Sequence, residues 1–103
     1  MSVKTSSLKD GRELLLRING RFDHTALAEF RSAYEKAPGR PDVYIVDMQD
    51  ISYLDSSGLS MLLLLHVHAG QRKYRVQIIN ARPDVLRSLA IAKFGDLFDI
   101  REP

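Results

Sequence analysis

Apolar and polar positions along the chain fall into short runs separated by turn signals. Val3–Leu8 reads as a first strand, followed by a turn at Asp10-Gly11. Glu13–Asn19 alternates loosely and is rich in leucine and isoleucine, so the pattern predicts a second strand hairpinned to the first and ended by Gly20. Thr25–Lys36 places Leu27, Phe30, Ala33 and Tyr34 on one side and Glu29, Arg31 and Glu35 on the other, the spacing of an amphipathic helix. Pro38-Gly39-Arg40-Pro41 breaks it. Val43–Met48 is a third, buried strand, and Asp55 or Ser56 through Ala69 a second helix closed by Gly70. Arg75–Asn80 reads as a fourth strand, Asp84–Ala92 as a third helix opened by Pro83, and Phe98–Ile100 as a short last strand. The order ββαβαβαβ predicts an α/β fold with a mixed sheet, because strand–helix–strand units favour parallel pairing through right-handed crossovers.

Composition narrows the class. The 103 residues are 45% hydrophobic and 27% charged, ordinary for a globular protein. No internal repeat or linker divides them, so one domain over residues 1–103 is expected. The absence of cysteine excludes disulfides and thiolate metal sites. Met1–Gly11 lacks the apolar stretch of a signal peptide, and the longest apolar run is Met61–Leu65, far short of the roughly 20 residues of a membrane span. A cytoplasmic protein without membrane contact is the expectation. The formal charge of +2 and pI near 9.1 come from dispersed basic residues. Only Arg72-Lys73-Arg75 clusters, and that reads as a solvated turn rather than a nucleic-acid surface.

The candidate chemistry lies in Ile51–Leu65. Asp55 and Ser56 are good N-cap residues, and Ser57 and Gly58 follow just before an apolar helix. A hydroxyl is thus presented at a strand-to-helix corner, where free amides and the helix dipole would tolerate a phosphate. Catalysis is disfavoured. Ser56 and His66 lie ten residues apart on one helix, about 15 Å of rise, and cannot share a proton. The nucleophile elbow, the phosphate loop and the dinucleotide glycine fingerprint are absent, which leaves His24 approaching from another segment as the one enzymatic reading. His66 and His68 point in opposing directions and cannot chelate together; one packed and one surface histidine is the simpler reading. Asp23 and Asp55 are two carboxylates that a magnesium ion would bridge, but a cap and a turn residue explain them more simply. No metal and no cofactor is therefore expected.

From Ser56 to Gln71 the second helix carries no formal charge with its histidines neutral. Leu59, Leu62, Leu63 and His66 fall on one side, and Met61, Leu64, Leu65 and His68 spread around the rest. Such a helix is either buried all round or presents an apolar contact surface, with Met61 and Leu64 as candidates for its outer side.

Asp55-Ser56-Ser57-Gly58-Leu59, preceded by the strand Tyr44–Met48, resembles the phosphorylation site of bacterial anti-anti-sigma factors of the STAS domain family. Gly20-Arg21-Phe22-Asp23 is similar to that family's turn after the second strand, and Val76–Ile100, with Gly95-Asp96-Leu97-Phe98, to its C-terminal part. Phe94-Gly95 departs from the family's more usual glycine-leucine pair. The resemblance implies partner switching. The unphosphorylated protein binds an anti-sigma factor, often itself a serine kinase; phosphorylation of Ser56 blocks binding; a PP2C-type phosphatase restores it. It further implies a partner-binding set of Asp23, Asp55, Ser57, Gly58, Leu59, Met61 and Leu64, a monomer when free, and no enzymatic activity. Some short members act in switches between motility and surface attachment. The competing reading is a non-switching STAS module, such as a subunit of a lipid-transport ATPase or a stressosome component.

Overall fold

Five strands form one sheet in the spatial order of the chain in the computed structural model, which describes residues 2–102. They are β1 (Ser2–Leu8), β2 (Glu13–Phe22), β3 (Val43–Leu54), β4 (Val76–Ile79) and β5 (Asp99–Ile100). β1 pairs antiparallel with β2, and every later pairing is parallel. Helices α1 (Leu27–Glu35), α2 (Ser56–His68) and α3 (Pro83–Ile91) connect the parallel strands. This is the ββαβαβαβ order and mixed sheet that the hydrophobic pattern predicts.

Each crossover steps to the next strand in the same direction, so right-handed connections put all three helices on one face. Burial alternates accordingly. Leu14, Leu16 and Ile18 of β2, Tyr44, Val46 and Met48 of β3, and Val76 and Ile78 of β4 are buried beneath the helices. Leu15, Arg17, Ile45, Gln77 and Ile79 point the other way and are half-buried or exposed. Phe22, Phe30, Leu62, Leu65, Leu89 and Phe98 fill the space between helices and sheet.

Two strands run further than their apolar patterns indicate. β2 continues through Gly20 to Phe22, and β3 continues past Met48 to Leu54. Gly20 does not end its strand: at φ +98° it supplies a left-handed kink beside register shifts at Arg17/Asn19 and Gly20/Arg21. These irregularities keep the two strands paired as far as Phe22 opposite Leu54. Both chains therefore leave the sheet side by side. A 3₁₀ turn over His24–Ala26 delays the start of α1 to Leu27. Gly70, at φ +98°, closes α2 beyond the Ala69 cap, as its sequence position indicates.

Candidate functional site: the head of helix α2

The two strand ends are built alike. After Phe22, Asp23 adopts an extended conformation (φ −131°, ψ −169°) and its carboxylate accepts the Thr25 amide at 3.0 Å. After Leu54, Asp55 does the same (φ −127°, ψ −172°) and accepts the Gly58 amide at 3.1 Å. Each aspartate thereby satisfies an amide that the first turn of its helix leaves free. The result is a pair of acidic caps at the carboxyl ends of adjacent parallel strands. Ser56, exposed, is the first residue of α2; Ser57 beside it is half-buried.

Asp23 is the more constrained of the two. Its carboxylate also accepts the Thr25 hydroxyl and stands 3.2 Å from Arg21 Nε. These bonds, the Thr25 hydroxyl first, hold Asp23 below the ordinary carboxylate pKa against the opposing effect of burial. Arg21 in turn lies with its guanidinium carbon 3.9 Å from the centroid of the Tyr53 ring, its cross-strand neighbour. Asp23 thus fixes the turn, and its carboxylate is taken up by that work.

Gly58 locks α2 to the sheet. A Cβ at this position would stand 2.3 Å from the Phe22 carbonyl oxygen and 2.7 Å from Leu54 Cδ1, closer than real atoms approach. The glycine is buried and has no side chain to offer a partner; its function is close approach. Met61 requires a correction as well. At 3% exposure it belongs to the core rather than to an outer contact surface. Gly58, Met61, Leu62, Leu65 and His66 form the inward stripe of α2, at the spacing of a helix that is buried on one side.

The outward stripe is Leu63, Leu64 and Val67, of which Leu64 is 47% and Val67 57% exposed. Leu64 was among the expected contact residues. Leu63 and Val67 were not, because a helix apolar all round does not declare which face looks inward. The exposed Leu27 at the start of α1 adds to the apolar surface on the helical side of the domain. Leu59 is half-buried against the core.

The remaining candidates separate. His66 is buried against Phe98, with ring centroids 5.4 Å apart, whereas His68 is exposed at the tail of α2. Asp23 and Asp55 are both engaged as caps, and among the described residues no group of three His, Asp or Glu side chains is placed to hold a metal ion. Of the basic cluster, Arg75 turns back to the Asp42 carbonyl at 3.2 Å. No helix among the described residues is long and apolar enough to cross a membrane.

Comparison with known proteins bears on this arrangement. The family model described as Mlab, STAS domain, matches residues 7–100. A STAS-domain containing protein of Pseudomonas aeruginosa is 44% identical over 100 residues, covering 97% of this chain and 99% of that protein. Low affinity sulfate transporter 3 of Stylosanthes hamata is 36% identical over 62 residues, which span 60% of this chain but only 10% of the transporter. Among solved structures, the anti-sigma factor antagonist SpoIIAA in its unphosphorylated form superposes with a TM-score of 0.79 at 20% identity, covering 97% of this chain and 88% of SpoIIAA. The Bacillus cell fate determinant SpoIIAA in the phosphorylated form gives 0.69 at 17% identity, with 97% and 91% covered. At these identities the structural likeness establishes the fold.

Proposed function

The chain belongs to the STAS domain family, and from that premise we propose that it is an anti-sigma factor antagonist whose binding is controlled by phosphorylation of Ser56. The observation that carries this reading is the head of α2. An exposed serine stands at the first helical position, next to a capping aspartate and at the edge of an exposed apolar stripe. In this reading the unphosphorylated protein binds an anti-sigma factor, or a serine kinase acting as one, through that end and outer side of α2. Kinase action on Ser56 releases it, and a PP2C-type phosphatase resets it. The protein is cytoplasmic, monomeric when free and performs no catalysis itself.

A phosphate on Ser56 brings about −1.5 to −2 charges to a corner already holding Asp55 and Asp23. The helix dipole favours that charge by roughly 0.3–1 kcal/mol, so the fold itself changes little. The cost falls on a partner that presents an acidic group. One unit-charge pair at ~4 Å costs ~1 kcal/mol in water and ~4 at an effective dielectric near 20. A few kcal/mol corresponds to about a hundredfold in affinity. Ser56→Ala is therefore expected to bind constitutively and Ser56→Asp poorly, with both folded. Titration calorimetry against the co-purifying partner, beside tandem mass spectrometry of kinase-treated protein, tests this. Phosphate on Ser57 with Ser56→Ala still labelled, or tighter binding by Ser56→Asp, contradicts it.

The match within a plant sulfate transporter favours a second reading, a non-switching STAS module that serves a transporter, such as a subunit of a lipid-transport ATPase. Co-purification of a transporter ATPase instead of a kinase or anti-sigma factor selects it.

A further inference from the structure

Parallel strands with returning helices sort the chain by pole. The amino ends of β3, β4 and β5 and the carboxyl ends of α1, α2 and α3 share the end of the domain opposite the α2 head. The 13 residues of α2 separate the two poles, about 20 Å of rise. The far pole gathers cations from all three helix-to-strand connections: Lys36 and Arg40 before β3, Arg72 and Lys73 before β4, and Lys93 before β5. All five are exposed and make no ion pair among the described residues. Most acids near them are engaged. Glu35 pairs with Arg31 at 3.1 Å, Asp42 with Arg75 at 3.7 Å and Asp99 with Arg101 at 3.0 Å, which leaves Asp96. On the β1–β2 side of this pole Lys9 and Arg12 balance Asp10 and Glu13. The head has the reverse balance, with Asp23, Asp50, Asp55 and Asp84 against Arg21 and Arg82.

The basic pole also carries the two most exposed large apolar side chains among the described residues. Ile91, at the end of α3, is 78% exposed, and Tyr74, beside Lys73, is 72% exposed. Single exposed apolar residues are ordinary on a protein surface; the setting distinguishes these two. An aliphatic tip and an amphipathic phenol stand among cations whose long stems are themselves apolar. That combination suits an anionic bilayer surface, where headgroups attract basic side chains and shallow insertion buries apolar ones. A nucleic acid would engage the cations and stack on Tyr74 but offers nothing to Ile91. The short apolar runs of the chain argue against a membrane span, and docking on a surface needs none. In sequence Arg72-Lys73-Arg75 reads as a solvated turn, because Arg40, Lys93 and Ile91 join that pole only in the fold.

We propose that the basic pole docks on an anionic bilayer surface, with Tyr74 and Ile91 at headgroup level and the α2 head turned away from the lipid. That orientation leaves Ser56 and the outer side of α2 open to a partner, and it stands whether or not Ser56 is phosphorylated. Sedimentation of the full chain with vesicles of phosphatidylcholine and phosphatidylglycerol in equal parts tests it. Pure phosphatidylcholine vesicles and a single-stranded oligonucleotide are the parallel arms. Binding is expected to the mixed vesicles and not to the pure ones, weakening as salt rises. Lys73→Glu is expected to weaken it about tenfold or more, and Ile91→Ser about three- to tenfold. Both positions are exposed, so the variants should fold, which circular dichroism checks. Lys4→Glu, on the edge strand β1, changes the net charge as Lys73→Glu does and is expected to weaken binding by under about twofold. Absence of binding to the mixed vesicles overturns the proposal. An equal loss in Lys4→Glu does so too, because the attraction would then be one of net charge. Unchanged affinity in both Ile91→Ser and Tyr74→Ser overturns it likewise, and tighter binding of the oligonucleotide would assign the pole to nucleic acid instead.

Discussion

Gly58 is the residue on which the geometry of the site turns most sharply. Its missing side chain lets the first turn of α2 rest directly on the Phe22 carbonyl, so the hydroxyl corner and the end of β2 form one rigid piece. Gly58→Ala is expected to lower stability by about 1–3 kcal/mol, the range for overpacking, despite the better helix propensity of alanine. Chemical denaturation measures it, and a neutral or stabilising effect would show that the close approach is not obligatory. Asp23 gives a second test. Its folded pKa is depressed, so its contribution to stability is fully present above the unfolded value near 3.9 and is lost as pH falls through the lower folded value. Thr25→Ala removes the largest cause of that depression. The variant should therefore show a higher Asp23 pKa in a carboxyl-detected titration and a smaller acid-induced loss of stability. An unchanged pKa would shift the cause to Arg21 or the Thr25 amide.

At the scale of the element, α2 shows what the sequence made legible and what it did not. Its N-cap, its length and its Gly70 terminator follow from local chemistry, and the structure has each where the pattern puts it. Its orientation was not legible. Leucine occupies inward and outward positions alike, so periodicity carried no signal, and only packing against the sheet assigns Met61 inward and Leu64 outward. The extensions of β2 and β3 were hidden for a related reason. Asp50, Ser52 and Tyr53 interrupt the apolar alternation because their side chains face solvent, and Gly20 looks like a terminator when it is a kink. The orientation yields a paired prediction. Met61→Glu should unfold the domain or cost several kcal/mol, because it buries an unpaired charge. Leu64→Glu should leave the melting temperature nearly unchanged yet weaken partner binding. Circular dichroism beside the binding assay separates the two, and equal destabilisation would mean that no face of α2 is free for contact.

Over the whole molecule, the sheet divides the protein into a packed helical side and an open side, and the open side has its own fastening. Asp47 of β3 is buried there, at the register shift where the ladder with β2 is interrupted. Its carboxylate accepts the Gln49 amide at 3.0 Å, Asn80 Nδ2 at 3.1 Å and Arg17 Nε at 3.2 Å. One residue thus compensates the broken ladder and joins β2, β3 and the end of β4. The three bonds should not count equally. Arg17 is more than half exposed, and an ion pair open to solvent contributes about 0–1 kcal/mol. The amide and the Asn80 donor have fewer alternatives, and a buried donor left without an acceptor costs about 1–3 kcal/mol. Asp47→Ala is therefore expected to destabilise by about 2–4 kcal/mol, and Arg17→Ala by under about 1 kcal/mol. Raising the salt concentration should narrow the Arg17 effect and leave the Asp47 effect standing. Urea denaturation of the two variants at low and high salt decides it. Equal losses at low salt that vanish together at high salt would make the ion pair, rather than the buried hydrogen bonds, the fastening of the open face.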